Sequence, residues 1–580
     1  MVQPGTEGSI KLNTQTTRVK TILEGFAQGR PDLWRLSACG VTPDIQSIPA
    51  LVDVEAYLPE SIKTPGRTRL LMISGLRNRE GEADLGLAAL ERFKDRAGQL
   101  SSKIALTAVP FCDPDGNHDL SSGYPPQDDF YNHPETPETR YLWRWTCFQA
   151  PDLLLEIRAA DSVVWSTNRA AAHFQSALGN ATEITDAASL PAAIGTGAPC
   201  GLAPIPAVIL ETPSEDLAEE LDRLWDVLLA GSTASSPSPA RRSLESRLAR
   251  PYIDVARILA SVYGYQLDPV NYTQGVGISG RLRLAVLDDG GQGQESPVPG
   301  IISLVEPYVS GSVEMFGERP GGANLSGLIW GQELYQATGD ARYSGLIVNV
   351  AERYQPGVDG GAPPPCDPDF RTEDMFMAGA MLGRAFDITG ESRYLSILTN
   401  FLIGGNIQQE SGLFWHCRSA PFYWSRGNGF AALGLTETLT YLPEDHPGKD
   451  AVLEMYRNLM DALARVQDLS GMLPQILDCP GSYQEFTATC MYGYALAKGL
   501  RRGWLDTGYS APLNLAWRGV AQRVDEAGDV VDGCASTGVQ ATLKEYLDRP
   551  AVFGFDDRSG GMALWFAVEM ERLRREQPGV

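Results

Sequence analysis

The side chains best suited to chemistry crowd into four short runs in the second half of the chain. Glu373-Asp374-Met375-Phe376-Met377 sets two adjacent carboxylates against an apolar Met/Phe stretch. A carboxyl held at an apolar wall loses hydration of its charged form, so its pKa rises and it can donate a proton near neutral pH. The plain alternative is a helix N-cap. Gly412-Leu413-Phe414-Trp415-His416 places a histidine among aromatics, a surface for stacking and hydrogen-bonding a sugar, or a structural histidine. Trp424-Ser425-Arg426-Gly427-Asn428-Gly429-Phe430 packs an aromatic, a guanidinium and a carboxamide around glycines. Arg426 can clamp a carboxylate with its bidentate fork; otherwise this is a tight loop entering a helix, with Arg426 in a surface ion pair. Ser482 to Met491, with Glu485, is small and polar at a helix start, suited either to lining a pocket or to close helix packing.

Positioning such groups needs a scaffold, and the sequence after Pro239 reads as almost all helix. About twelve amphipathic segments begin near Tyr252, Gly275, Gly300, Leu325, Ala341, Asp374, Ser392, Asn428, Lys449, Glu485, Ala511 and Gly561. Gly, Pro, Asp or Asn loops separate them. Thr338-Gly339-Asp340-Ala341-Arg342-Tyr343 recurs as Thr389-Gly390-Glu391-Ser392-Arg393-Tyr394, 51 residues on, the length of a helical hairpin with its loops. Six repeated hairpins make an (α/α)6 toroid the expected fold of residues 251–580. Before them, Gly231 to Pro239 is a Ser/Pro-rich stretch, and 231–250 reads as a linker. Residues 1–230 alternate apolar runs (Leu70–Ile73, Ile104–Val109, Leu153–Ile157, Ala207–Leu210) with helical patterns (Leu85–Phe93, Leu217–Leu229), an α/β domain with a sheet.

Bulk properties bound the partners. A formal net charge of −24 disfavours nucleic acid and anionic membrane surfaces, both of which need a basic face. No run reaches the ~18 apolar residues of a spanning helix, and no signal peptide is visible at Met1–Gly8. The nine cysteines are scattered, with no Cys-x-x-Cys, which fits buried thiols in a reducing cytoplasm.

Together, the motifs from Asn271 to Leu573 resemble the unsaturated glucuronyl and rhamnogalacturonyl hydrolases of glycoside hydrolase families 88 and 105. Gly471 to Asp478, Asp525 to Asp529 and Asp556 to Gly561 follow in matching order. The resemblance implies an (α/α)6 barrel that hydrates the enol-ether double bond of a 4,5-unsaturated uronic acid at the non-reducing end of lyase-derived oligosaccharides. It implies Asp374 as general acid and base. It implies substrate contacts from His416, Trp415, Trp424, Arg426, Asn428, Phe430 and Glu485, and no cofactor or metal. It leaves a homo-oligomer open. Three departures stand out: Gly321-Gly322-Ala323-Asn324-Leu325-Ser326-Gly327 lacks the family's second aspartate, Thr372 replaces an aromatic, and Phe430 often corresponds to Trp. A non-catalytic carbohydrate-binding protein, a polysaccharide lyase or an ordinary glycosidase on the same scaffold remain the alternatives.

Residues 30–230 more faintly resemble the zinc carboxypeptidase (M14) fold. The similar segments are Gly75 to Glu80, Pro110 to Asn117, Pro151 to Arg158 and Val208 to Thr212. The resemblance puts Arg77 and Arg158 where that family has zinc-binding histidines, and guanidinium does not ligate zinc. Glu80 and Glu211 persist. No peptidase activity is expected. The readings are a structural appendage, an anion site at Arg77 and Arg158, or a domain that lengthens a substrate cleft through His118, His133, Tyr124, Phe130 and Tyr131.

Overall fold

The four apolar runs are the centre of an eight-stranded sheet. The computed structural model describes residues 14–54, 67–77, 79–116, 118–126, 136–197, 201–230, 237–287, 296–536 and 538–579. Its strands are β1 (Trp34–Val41), β2 (Ser47–Asp53), β3 (Thr68–Ser74), β4 (Ile104–Val109), β5 (Leu153–Ala159), β6 (Val164–Thr167), β7 (Thr182–Glu183) and β8 (Ala207–Thr212). They lie in the order β1-β2-β4-β3-β5-β8-β6-β7. β4, β3, β5 and β8 are parallel neighbours, with Leu70 opposite both Leu106 and Leu153. Parallel strands are covered on both faces, so they read as unbroken apolar runs. β1, β2 and β6 join antiparallel at the flanks. The helices Glu82–Asp95 and Leu217–Leu229 bury Phe93 and Trp225 edge-to-face, 5.9 Å apart.

The chain divides into two compact units: Met1–Ser246 with Cys479–Tyr483, and Arg247–Asp478 with Gln484–Val580. Residues 231–236 of the expected linker lie outside the described residues, as do Phe130, Tyr131 and His133. The rest of that stretch is not a plain linker, because Pro239–Leu248 is a helix. Proline suits a first helical position, where its missing N–H costs nothing. Arg241 then anchors the helix by pairing with Asp152 and Glu245, each at 2.7 Å.

In the second unit twelve helices alternate. The outer ones are α1 (Tyr252–Ala260), α3 (Val298–Val309), α5 (Ala341–Ala351), α7 (Ser392–Gly404), α9 (Lys449–Val466) and α11 (Ser510–Gln522). The inner ones are α2 (Tyr272–Leu287), α4 (Gly331–Thr338), α6 (Thr372–Thr389), α8 (Ser425–Tyr441), α10 (Phe486–Arg501) and α12 (Asp557–Glu576). The sequence leaves this legible in burial: α8 is buried from Ser425 to Leu439 on every face, whereas α9 buries one stripe. The repeated turn does the same job twice. Gly339 and Gly390 take left-handed φ of 75° and 74° and end α4 and α6. Thr338 and Thr389 then accept at Oγ1 from the N–H groups of Asp340 and Glu391, each at 3.2 Å.

Because inner and outer helices alternate in direction, all inner helices start at one end of the barrel. Close approach holds them there: a Cβ on Gly434 of α8 would lie 2.4 Å from the Met375 carbonyl carbon of α6. Further along the inner helices Arg384, Lys498 and Arg283 surround Glu437 and Glu333, with Arg384–Glu437 and Lys498–Glu437 at 3.0 Å. Among the described residues no helix is long and apolar enough to cross a membrane.

Candidate active site

The N-termini of the inner helices carry Asp374, Trp424, Arg426, Asn428, Phe430 and Glu485, with Trp415 and His416 on a loop between two helices. Thr372, Glu373 and Asp374 form the first turn of α6, and all three are buried. The loop bearing His416 rests on that turn, since the His416 carbonyl accepts from the Thr372 N–H at 3.1 Å. Trp424 is the N-cap position of α8, and the Gln475 carbonyl accepts from the Ser425 N–H at 2.9 Å.

The two carboxylates face different surroundings. His416, with no exposed surface, sets Nε2 3.1 Å from both oxygens of Glu373 and Nδ1 2.5 Å from the Tyr546 hydroxyl. Burial alone would raise the Glu373 carboxyl, but the imidazole beside it outweighs that and holds it below the usual carboxylate range. Asp374 is 6% exposed. Its Oδ2 accepts from the Asp367 N–H at 2.7 Å, and a Cβ on Gly322 would lie 2.8 Å from its Oδ1. Burial, with the Glu373 and Asp367 charges behind it, pushes Asp374 up to about 7 despite that N–H and Arg371. Neighbouring carboxyls are thus driven apart in pKa, the arrangement that separates an acid from a fixed charge.

Trp424 is fully buried, with the Arg426 guanidinium 4.9 Å and the Arg549 guanidinium 4.8 Å from its ring. Arg426 is also fully buried, and is not in a surface ion pair. Its Nη1 and Nη2 donate to the carbonyls of Cys534 and Ser536, and Arg549 donates to those of Ser536 and Gly538. This leaves the buried donors Trp424 Nε1, Arg426 Nε and Arg549 Nε without a hydrogen-bond partner among the described residues. Trp415, next to His416 in sequence, is half-buried.

Three expected ligand contacts have protein partners instead. Asn428 ties loop to helix: Oδ1 accepts from Phe414 N at 2.8 Å, and Nδ2 donates to the Phe414 and Trp424 carbonyls at 2.9 and 3.1 Å. Phe430 is a core ring, 5.6 Å from Tyr272 and 6.2 Å from Phe376. Glu485 is the N-cap of α10, accepting from Thr487, Ala488 and, at 2.8 Å, the Cys534 N–H. The sequence reading missed Tyr546 and Arg549. Both come from the segment between α11 and α12, over a hundred residues from the histidine and tryptophan they touch, and no local pattern marks them.

In the α/β unit, Arg77 and Arg158 stand at the ends of β3 and β5, held by buried carboxylates. Arg77 Nε donates to Glu82 at 2.7 Å and Arg158 Nε to Glu156 at 2.5 Å, while Glu211 lies 3.7 and 3.9 Å from the two guanidiniums. Glu80 is exposed. Asp113, His118 and Glu138 bring potential ligand atoms within 4.8 Å of one another.

Residues 372–574 match the profile of the family described as Glycosyl Hydrolase Family 88. An unsaturated rhamnogalacturonyl hydrolase of Bacillus subtilis (YesR) is 30% identical over 155 residues, which is 26% of this chain and 42% of that protein. An unsaturated 3S-rhamnoglycuronyl hydrolase of Alteromonas is 29% identical over 113 residues, 19% of this chain and 27% of that protein. The chain therefore matches less than half the length of these relatives. A family 105 glycoside hydrolase from C. acetobutylicum ATCC 824 superposes with a TM-score of 0.50 at 19% identity, over 56% of this chain and 100% of that structure. The stretch that carries Glu373, Asp374, His416 and Arg426 thus lies within a match to Glycosyl Hydrolase Family 88, on a helical fold like that of family 105.

Proposed function

We propose that the helical unit is an unsaturated uronyl hydrolase. It removes a 4,5-unsaturated uronic acid from the non-reducing end of oligosaccharides left by polysaccharide lyases. The observation that carries this reading is the split carboxyl pair: Asp374 buried without an ion-pair partner among the described residues, which pushes it up to about 7, beside Glu373 held low by His416 on both its oxygens. Asp374 gives its proton to C4 of the enol ether, and the positive character that builds at C5 sits near the Glu373 carboxylate. Water adds at C5 and loses its proton to Asp374, now ionised. The hemiketal opens, releasing the remaining oligosaccharide and a 4-deoxy-5-keto-uronate. The unpartnered donors Trp424 Nε1, Arg426 Nε and Arg549 Nε support recognition of a carboxylate here.

A second assignment gives the water's proton to Glu373. The two-oxygen contact with His416 favours it, since that contact fixes the carboxylate and leaves it ionised. The test is a panel of lyase-digested uronate polymers followed by loss of the enol-ether ultraviolet band. No loss on any digest sinks the reading. Activity abolished in Asp374→Asn but only weakened in Glu373→Gln favours Asp374 as both acid and base.

The relatives' unsaturated-sugar activities support the substrate class, and free, buried thiols at the eight described cysteines support a reducing compartment such as the cytoplasm. The α/β unit has the expected mixed sheet, of eight strands, with Arg77 and Arg158 at its strand ends, but a mixed sheet alone does not make it a carboxypeptidase-like shell. Their pairing with Glu82, Glu156 and Glu211 favours a structural role over anion binding, because three carboxylates outweigh two guanidiniums.

A further inference from the structure

The segment between α11 and α12 reaches the site through one side chain whose part in the reaction is not accounted for above. Tyr546 has no exposed surface and sits in the short helix Leu543–Leu547. A capping box starts that helix: Thr542 Oγ1 accepts from the Glu545 N–H, and Glu545 Oε2 accepts from the Thr542 N–H at 3.1 Å. Gln475 Nε2 donates to the Tyr546 carbonyl at 3.0 Å, and the ring packs 5.2 Å from Phe422. The hydroxyl is therefore aimed by packing on several sides.

Hydrogen-bond accounting then fixes the direction of the contact with His416. A phenol has one proton and two lone pairs. The Gln540 N–H points at the hydroxyl oxygen at 3.2 Å and takes a lone pair. Among the described residues, the acceptor within reach of the phenolic proton is His416 Nδ1, at 2.5 Å. With Nδ1 accepting, the ring proton sits on Nε2 and is donated to Glu373. The opposite arrangement would orphan the phenolic proton and turn a bare Nε2 lone pair toward an ionised carboxylate, and both are unfavourable in a buried site.

We propose that Tyr546 is a positioning residue for the reaction: its hydroxyl donates to His416 Nδ1, fixing the tautomer whose Nε2–H holds the Glu373 carboxylate in place. The proposal rests on the hydrolase reading for its kinetic consequence but not for its geometry. Tyr546→Phe removes the hydroxyl and keeps the ring packing.

Two measurements on the full chain test it. The chain has five histidines, so 15N-histidine labelling, with His416→Gln for assignment, reads the tautomer directly. The wild-type Nδ1 is expected to be bare and hydrogen-bonded. In Tyr546→Phe its resonance moves toward that of a free nitrogen. A protonated Nδ1 in the wild type, or an unmoved resonance in the variant, overturns the proposal whether or not the protein turns over any sugar. On a digest that the wild type hydrolyses, kcat falls about tenfold with KM unchanged, the cost of one lost hydrogen bond in the positioning chain. Unchanged kcat, or a rise in KM alone, overturns the positioning role while leaving the hydrolase reading intact.

Discussion

At the scale of single residues the decisive feature is that Glu373 and Asp374 are neighbours in sequence and opposites in protonation. An acid catalyst that titrates near 7 loses its proton as pH rises through that value, while its ionised neighbour is neutralised only below the ordinary carboxylate range. Activity should therefore be highest on the acid side of 7 and fall as pH rises through about 7. A kcat/KM profile checks this, and a rate that keeps climbing into alkaline pH contradicts it. Asp374→Asn should lower kcat by about 10²- to 10⁴-fold. The same burial weakens the fold. A carboxyl whose folded pKa is raised keeps its proton when the unfolded chain has lost it, so stability falls as pH rises from about 4 to about 7. The cost at pH 8 reaches about 4 kcal/mol. Asp374→Asn should thus melt at a higher temperature than the wild type at pH 8, and the gap should close at pH 4. A variant no more stable at pH 8 would mean that the carboxyl is not desolvated as described.

At the scale of elements, helix starts do most of the work, and they explain what the sequence could and could not reveal. Eleven of the twelve segment starts read from periodicity fall within four residues of a barrel-helix start, and Leu325 falls six before α4, because Gly, Pro and Asp loops punctuate the chain wherever direction reverses. Asp374 and His416 were legible because a charge or an imidazole inside an apolar run is conspicuous. Glu373, in the same run, was given no role of its own, since only the fold brings His416 against it. Asn428 and Glu485 were legible as unusual polar residues, but they bind backbone groups: Asn428 those of Phe414 and Trp424, and Glu485 those of its own helix start and of Cys534, 49 residues on, which no local spacing encodes. Glu485→Ala should act as the loss of a cap. Stability falls by about 1–3 kcal/mol, measured by denaturant unfolding, with KM for oligosaccharide unchanged. A large rise in KM without loss of stability would restore Glu485 to the substrate surface.

At the scale of the whole molecule, both units place buried ion networks where an apolar core would be simpler. In the barrel, Glu437 is ringed by Lys498, Arg384 and Arg283, whose charges overcome its burial and hold it far below the usual carboxylate range. In the α/β unit, Glu156 is buried beside Arg158 at the end of β5, and burial still pushes its carboxyl up. Removing one partner of such a pair leaves the other charged and dry, at a cost of about 3–5 kcal/mol. Arg158→Met therefore distinguishes two of the roles open to the α/β unit. If the Arg77–Glu82–Glu156–Arg158–Glu211 cluster only holds the sheet ends together, the variant unfolds at lower denaturant concentration and its kcat/KM on uronate oligosaccharides matches the wild type. If the guanidiniums take an anionic sugar, KM rises or direct uronate binding weakens. The guanidiniums already donate to Glu82 and Glu156, which favours the first outcome, and a variant that kept its stability while losing uronate affinity would reverse that assignment.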